Sequence, residues 1–276
     1  VKKITMRMYL LSAVASICLM PRTVLSQELT VAVASNFYHA LSVISQKFEQ
    51  ETGTKVRLSS GASGLLYAQI IRGAPFDLFF SADVERPKLL EQKGLTSVRE
   101  NYVYGRLALW APQQALSKQK QLKHQSIVNE HFLATYEQRL AIANPRLAPY
   151  GKAAKQTLAY MGLSEKFNAK STTNFVLGNN INQTYQFIDS GNAKAGFVAY
   201  SLLKAKPVAD TDYWLIPQNH HEVIEQQVVV LTNAKKPVVA KKFLDYILSP
   251  PIQKLLTDMG YGSIHHHIKN TVLGDG

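Results

Sequence analysis

LTVAVASNFYHALSVISQKFEQETGTKVRLSSGASG, residues 29–64, decides the fold. Residues 29–34 are a short β-rich run. Over residues 37–51 the apolar spacing becomes helical, with Leu41, Ile44 and Phe48 on one face. Thr52-Gly53-Thr54 turns the chain, and residues 55–59 read as a second strand. Moving outward, residues 65–71 form a helix ended by Arg72-Gly73-Ala74-Pro75. Residues 76–81 are a buried strand, and residues 84–93 a helix with Asp83 as its N-cap. Strands that alternate with helices in this way build a parallel sheet with helices on its faces.

A second block of the same kind follows. Residues 139–143 are a strand, 152–161 and 182–190 helices, and 195–200 another strand. Two long apolar strands, 103–111 and 226–232, flank the block. Helices over 237–248 and 251–259, each with Pro near its start, close the chain. The pattern predicts an α/β protein of two lobes joined by two crossing strands. Lobe I takes residues 27–107 and 228–276, and lobe II takes 108–227. No internal sequence repeat and no flexible linker interrupts this plan.

The first 26 residues differ in kind. Lys2, Lys3 and Arg7 precede an apolar run from Tyr9 to Met20, which Pro21 breaks. Val24-Leu25-Ser26 offers a small-residue cleavage site before Gln27. This is the layout of a secretory signal peptide, and the run falls short of the ~20 apolar residues a membrane span needs. Export to the periplasm with cleavage near Ser26 is expected. The single cysteine, Cys18, lies inside the run rather than at its end, which argues against lipidation. The processed chain then has no thiol for disulfides, catalysis or metal binding.

The net charge is +12, and the leader's Lys2, Lys3, Arg7 and Arg22 leave about +8 for the rest. A basic surface suits an anionic ligand. The densest basic stretch, Lys118 to Lys123, has no aromatic stacking residues, so no nucleic-acid partner is expected.

Four strand-to-helix junctions carry small polar residues or open amides: Ser35-Asn36, Gly61-Ala62-Ser63-Gly64, Pro149-Tyr150-Gly151 and Asn179-Asn180-Ile181-Asn182. The first turn of a helix leaves backbone N–H groups without partners, and the helix dipole adds positive charge there. Such starts bind anions. Each junction taken singly is also explained by helix capping. Two lie in each expected lobe, so a cleft between lobes would gather all four.

Other chemistries fit less well. Gly61-Ala62-Ser63-Gly64-Leu65 approaches the G-x-S-x-G pattern of serine hydrolases, but Leu65 stands at the last glycine. His220-His221 and His265-His266-His267 suggest metal binding, yet no spaced His/Cys pattern accompanies them. Asp77 and Asp83 fit a buried polar contact and a helix cap. No enzymatic activity is expected.

The stretch Gly73-Ala74-Pro75-Phe76-Asp77-Leu78-Phe79-Phe80-Ser81-Ala82-Asp83 resembles a signature of the periplasmic molybdate-binding proteins of bacterial ABC importers. Residues 33–37, Ala143-Asn144-Pro145 with Pro149-Tyr150-Gly151, and residues 196–201 carry the resemblance further, over about residues 29–262. It implies a two-lobed periplasmic binding protein of type II with a double crossover, which captures molybdate and tungstate and delivers them to a membrane permease. It implies no cofactor, no direct protein ligand to the metal atom, and a monomer. By motif, Ser35, Asn36 and the Ser63 hydroxyl match ligand contacts, as do the amides of Tyr150 and Ile181. Tyr200 stands where some members use a tyrosine hydroxyl. Sulfate is the alternative ligand on the same fold.

Overall fold

The computed structural model of the chain describes residues 28–112, 128–167 and 175–264. The leader, the lysine-rich stretch 118–123 and His265 to His267 lie outside the described residues.

In chain order, β1 (Glu28–Ala34) leads through a 3-10 turn (Ser35–Phe37) into α1 (Tyr38–Thr52). Then come β2 (Lys55–Gly61), α2 (Ser63–Ile70), β3 (Leu78–Phe80), α3 (Glu85–Gln92), β4 (Thr96–Gly105) and β5 (Leu107–Trp110). The second block has α4 (Glu130–Thr135), β6 (Leu140–Ala143), α5 (Pro149–Tyr160), β7 (Phe175–Gly178), α6 (Ile181–Asp189), β8 (Ala195–Ala199), α7 (Tyr200–Lys204) and β9 (Tyr213–Leu215). The chain closes with β10 (Ile224–Leu231), α8 (Pro237–Leu248) and α9 (Pro250–Asp258).

These strands form two five-stranded sheets, in the orders β2-β1-β3-β10-β4 and β7-β6-β8-β5-β9. Each has three parallel strands in the same relative order, with an antiparallel strand beside the third. In the first sheet that strand is β10, which returns from the far end of the chain. In the second it is β5, which arrives from the first lobe. The two lobes are therefore topologically alike, although the sequence shows no repeat.

The apolar run 103–111 is not one strand. It ends in the first sheet at Gly105 and resumes in the second at Leu107. The switch falls at Gly105-Arg106, where Arg106 is exposed between buried residues of the two sheets. Likewise β10 pairs with β4 from Ile224 onward, so residues 224–227 belong with the first sheet rather than the second. Two short strands, β7 and β9, were not expected from the pattern. Both lie at sheet edges and span only four and three residues.

Helix α1 forms because Ala40, Leu41, Ile44 and Phe48 recur on one face and bury against the first sheet. Below the strand ends, Phe37 packs on Phe80, Tyr102 and Tyr261, with ring centroids 5.6, 4.6 and 5.5 Å away. Each such buried aromatic stabilises the lobe by about 1.5–3 kcal/mol relative to exposure. Asp77 is buried by design. It accepts from Thr30 N–H and Lys235 N–H, both at 2.8 Å, and so ties β1 to the segment after β10.

Candidate anion-binding site between the lobes

In both lobes the first and second parallel strands end at the cleft. From β1 the chain enters the turn at Ser35, and from β2 it enters α2 at Ser63. From β6 it enters α5 at Pro149, and from β7 it enters α6 at Ile181. A small cavity is lined by Ala34, Ser35, Asn36, Gly61, Ala62, Ser63 and Ala82 of lobe I and by Ala148, Pro149, Tyr150 and Ile181 of lobe II. Residues from all four junctions named from sequence meet there. No charged side chain lines it.

The lobe I donors are hydroxyls and first-turn amides. Ser63 is buried, and its Oγ accepts from Ala82 N–H at 2.9 Å. That bond occupies a lone pair and leaves the hydroxyl proton to donate. Ser35 is buried at the start of the 3-10 turn. Asn36 behaves differently from expectation. Its side chain donates from Nδ2 to Gln226 Oε1 at 2.9 Å and so is tied to the network beneath the cavity.

The lobe II donors are backbone amides. Pro149 occupies the first position of α5 and has no N–H, which makes Tyr150 N–H the first amide of that helix. The turn is tight: a Cβ on Gly151 would lie 2.1 Å from Ala143 O, so only glycine fits. At α6, Asn180 caps the helix by accepting from Gln183 N–H at 2.9 Å, while Gln183 Oε1 accepts from Asn179 N–H at 2.6 Å. This reciprocal cap satisfies its neighbours and leaves Ile181 N–H, the first amide of the helix, without a partner.

Tyr200 is not in the cavity. It begins α7 at the end of β8, the third parallel strand, and its N–H donates to Arg106 O at 2.9 Å. Its ring packs on Tyr213 and under the Arg106 guanidinium, 5.1 Å from the ring centre.

Beneath the cavity lies a polar network that no sequence motif marks. Gln226, fully buried on β10, accepts at Oε1 from Asn36 Nδ2 and from the Tyr102 hydroxyl, both at 2.9 Å. Its Nε2 donates to the Tyr150 hydroxyl at 3.1 Å. Tyr261 donates its hydroxyl to Asn36 O at 2.7 Å. Burial pushes the hydroxyls of Tyr102, Tyr150 and Tyr261 well above their ordinary range, so all three stay protonated. The sequence signal is a Gln pair directly before the apolar run Val228–Leu231.

At the cleft mouth Gly64 N–H donates to Leu147 O at 3.1 Å, and Arg86 Nη2 donates to Arg146 O at 3.3 Å. Both bonds join lobe I to lobe II. Arg86 is also ion-paired with Asp83, and Asp83 in turn accepts from Arg86 N–H at 2.9 Å in a capping role. The pair neutralises itself. Among the described residues, no histidine or carboxylate lines the cavity beside Ser63. Among the described residues no group of three His, Cys, Asp or Glu could hold a metal ion. His220 instead stacks on Tyr160, 4.2 Å between ring centres.

Comparison with known proteins places the chain in a family. The family described as bacterial extracellular solute-binding protein matches residues 29–262. The chain is 37% identical over 245 residues to the molybdate-binding protein ModA of Azotobacter vinelandii, covering 85% of this chain and 90% of that one. It is 34% identical over 236 residues to the Rhodobacter capsulatus molybdate-binding protein ModA, covering 85% and 88%. The solved Azotobacter vinelandii periplasmic molybdate-binding protein superimposes with a TM-score of 0.75 at 32% identity, over 84% of this chain and 98% of that one. These relatives are binding proteins and not enzymes, and so is this one. On the fold, the inter-lobe cavity and the match along most of its length, the chain belongs to the bacterial extracellular solute-binding proteins.

Proposed function

We propose that this protein captures molybdate, and tungstate with it, in the inter-lobe cavity after export and delivers it to a membrane ABC permease. One observation carries the reading: the cavity offers hydroxyl and amide donors from four helix starts and no carboxylate, imidazole or ammonium group. The names of the relatives at 34–37% identity support the choice of oxyanion.

Molybdate at neutral pH is a dianion with no proton to donate, so a donor-only site satisfies every oxygen. Hydrogenphosphate carries a proton that needs an acceptor. Left unpaired in a buried site it costs about 1–3 kcal/mol, or about 5- to 150-fold in affinity. Sulfate matches the charge but is smaller, so size must reject it. Neutral donors aimed at one point also cost little reorganisation when the anion arrives. Lobe closure buries the ligand and presents a defined surface to the permease.

Thermal denaturation tests this. Molybdate at about 1,000 times its Kd stabilises the folded state by about 4 kcal/mol, a rise in Tm on the order of 10 °C. Tungstate should act alike, sulfate less, and phosphate hardly at all. No shift with molybdate would sink the proposal. Export is tested by mass spectrometry of the periplasmic fraction, where the chain should begin at Gln27. Retention of an intact leader in the cytoplasm would contradict it.

A further inference from the structure

Neutral donors cannot distinguish two tetrahedral dianions by charge. Whatever discriminates between them must fix the distance between the donor sets of the two lobes. One side chain is placed to do this. Gln226 bonds through Oε1 to the Asn36 side chain of lobe I and through Nε2 to the Tyr150 hydroxyl of lobe II. Asn36 and Tyr150 are the residues whose backbones line opposite walls of the cavity. A single planar carboxamide therefore ties one wall to the other, at 2.9 Å on one side and 3.1 Å on the other.

The surroundings leave this link no slack. The β4–β10 register shifts between Gln226 and Gln227, which pair with Val103 and Asn101 and leave Tyr102 as the extra residue of a β-bulge. The bulge lets the Tyr102 hydroxyl reach Gln226 Oε1, and Gln253 Nε2 takes up the Tyr102 carbonyl at 3.1 Å. On the other side is Gly105, the last residue of β4 before the chain changes lobes. A Cβ there would lie 2.4 Å from the Tyr150 hydroxyl and 2.7 Å from Gln226 Nε2. The carboxamide is held from every direction and fully buried.

We propose that Gln226 is a positioning residue that sets the span between the donor sets of the two lobes and thereby the size of oxyanion the cavity accepts. The inference rests on the oxyanion reading above. It does not require Gln226 to touch the ligand.

The test is calorimetric titration with molybdate and with sulfate of the wild type, Gln226→Leu, Tyr150→Phe and the double variant. Tyr150→Phe removes one oxygen and leaves the Tyr150 backbone N–H in place. It therefore breaks the link without removing a ligand donor, and it carries the test if Gln226→Leu does not fold. The molybdate-over-sulfate preference should fall at least tenfold in each single variant. The double variant should be no worse than Gln226→Leu, because both changes cut the same link. If both affinities fall together and the ratio stays at the wild-type value, or if neither changes, Gln226 does not set the span. If the wild type itself binds neither anion, the oxyanion reading fails and this inference with it. A selective wild type whose variants keep the wild-type molybdate-over-sulfate ratio would overturn the inference alone.

Discussion

The two lobes share a strand order but arm the cavity differently. Lobe I offers side-chain hydroxyls, Ser35 and Ser63, beside its first-turn amides. Lobe II offers only main-chain N–H groups, those of Tyr150 and Ile181, whose side chains are buried elsewhere in the packing. The difference teaches that the same helix-start chemistry can be written into residue identity or hidden in the backbone. Direct ligand contacts should therefore be lost by side-chain truncation in lobe I and, in lobe II, by substitutions that remove an N–H.

The largest effect is expected at Ser63. Ser63→Ala removes one hydroxyl donor to a charged acceptor, worth about 1.5–3 kcal/mol, so molybdate affinity should fall roughly 10–100-fold. It also strips Ala82 N–H of its partner, so Tm should fall as well. Unchanged affinity by calorimetry would remove Ser63 from the site. The matching experiment in lobe II is Ile181→Pro. Proline suits the first position of a helix, and Asn180 at φ −149°, ψ 174° already has the extended backbone that a following proline demands. The variant keeps α6 and deletes one N–H, and should weaken binding by about tenfold. Ile181→Val keeps the amide and should stay within about twofold of wild type. If valine were as harmful as proline, the lobe II contact would be side-chain packing and the contrast between the lobes would fail.

A smaller effect is expected from pH, and on stability alone. His221 is buried, which holds its imidazole below the ordinary value of 6.5; the Glu222 carbonyl works against this shift and the neighbouring His220 with it. The unfolded chain then takes up a proton more readily than the folded one. The stability from this group is full above pH 6.5 and is lost as pH falls below it. Between pH 7.5 and 5.5 the wild type should lose more Tm than His221→Gln, and equal losses would show that another group governs the decline. The smallest effect is on binding. The cavity walls hold no titrating group, and the tyrosines beneath them stay protonated, so molybdate affinity should be flat between about pH 7 and 9. A titration step there would reveal an ionisable ligand contact.

How much could be read from the chain follows the same division. Ser35 and Ser63 were legible because small polar residues at strand ends have both a cap signature and a donor. The Tyr150 and Ile181 amides have no residue signature of their own, and only Pro149 and the Asn180 cap mark where they open. Tyr200 enters by resemblance as a hydroxyl contact, and its ring packs on Tyr213 and under Arg106, outside the residues that line the cavity. That packing is made between segments far apart in sequence, which a local motif does not carry. Gln226 was read as part of an apolar strand, since its importance depends on a bulge in the partner strand. The two-lobed plan was legible from periodicity. The change of sheet at Gly105 is not, because a single Gly-Arg step between apolar residues does not say that the strand changes partners.

The central claim is that a donor-only cavity between two lobes holds a fully deprotonated tetrahedral anion. Calorimetric titration of the purified wild type at pH 7 with molybdate, sulfate and phosphate tests it most directly. The account predicts one molybdate per chain, weaker sulfate binding, and phosphate weakest or silent. Phosphate bound as tightly as molybdate would mean that the cavity contains an acceptor, and would contradict the account.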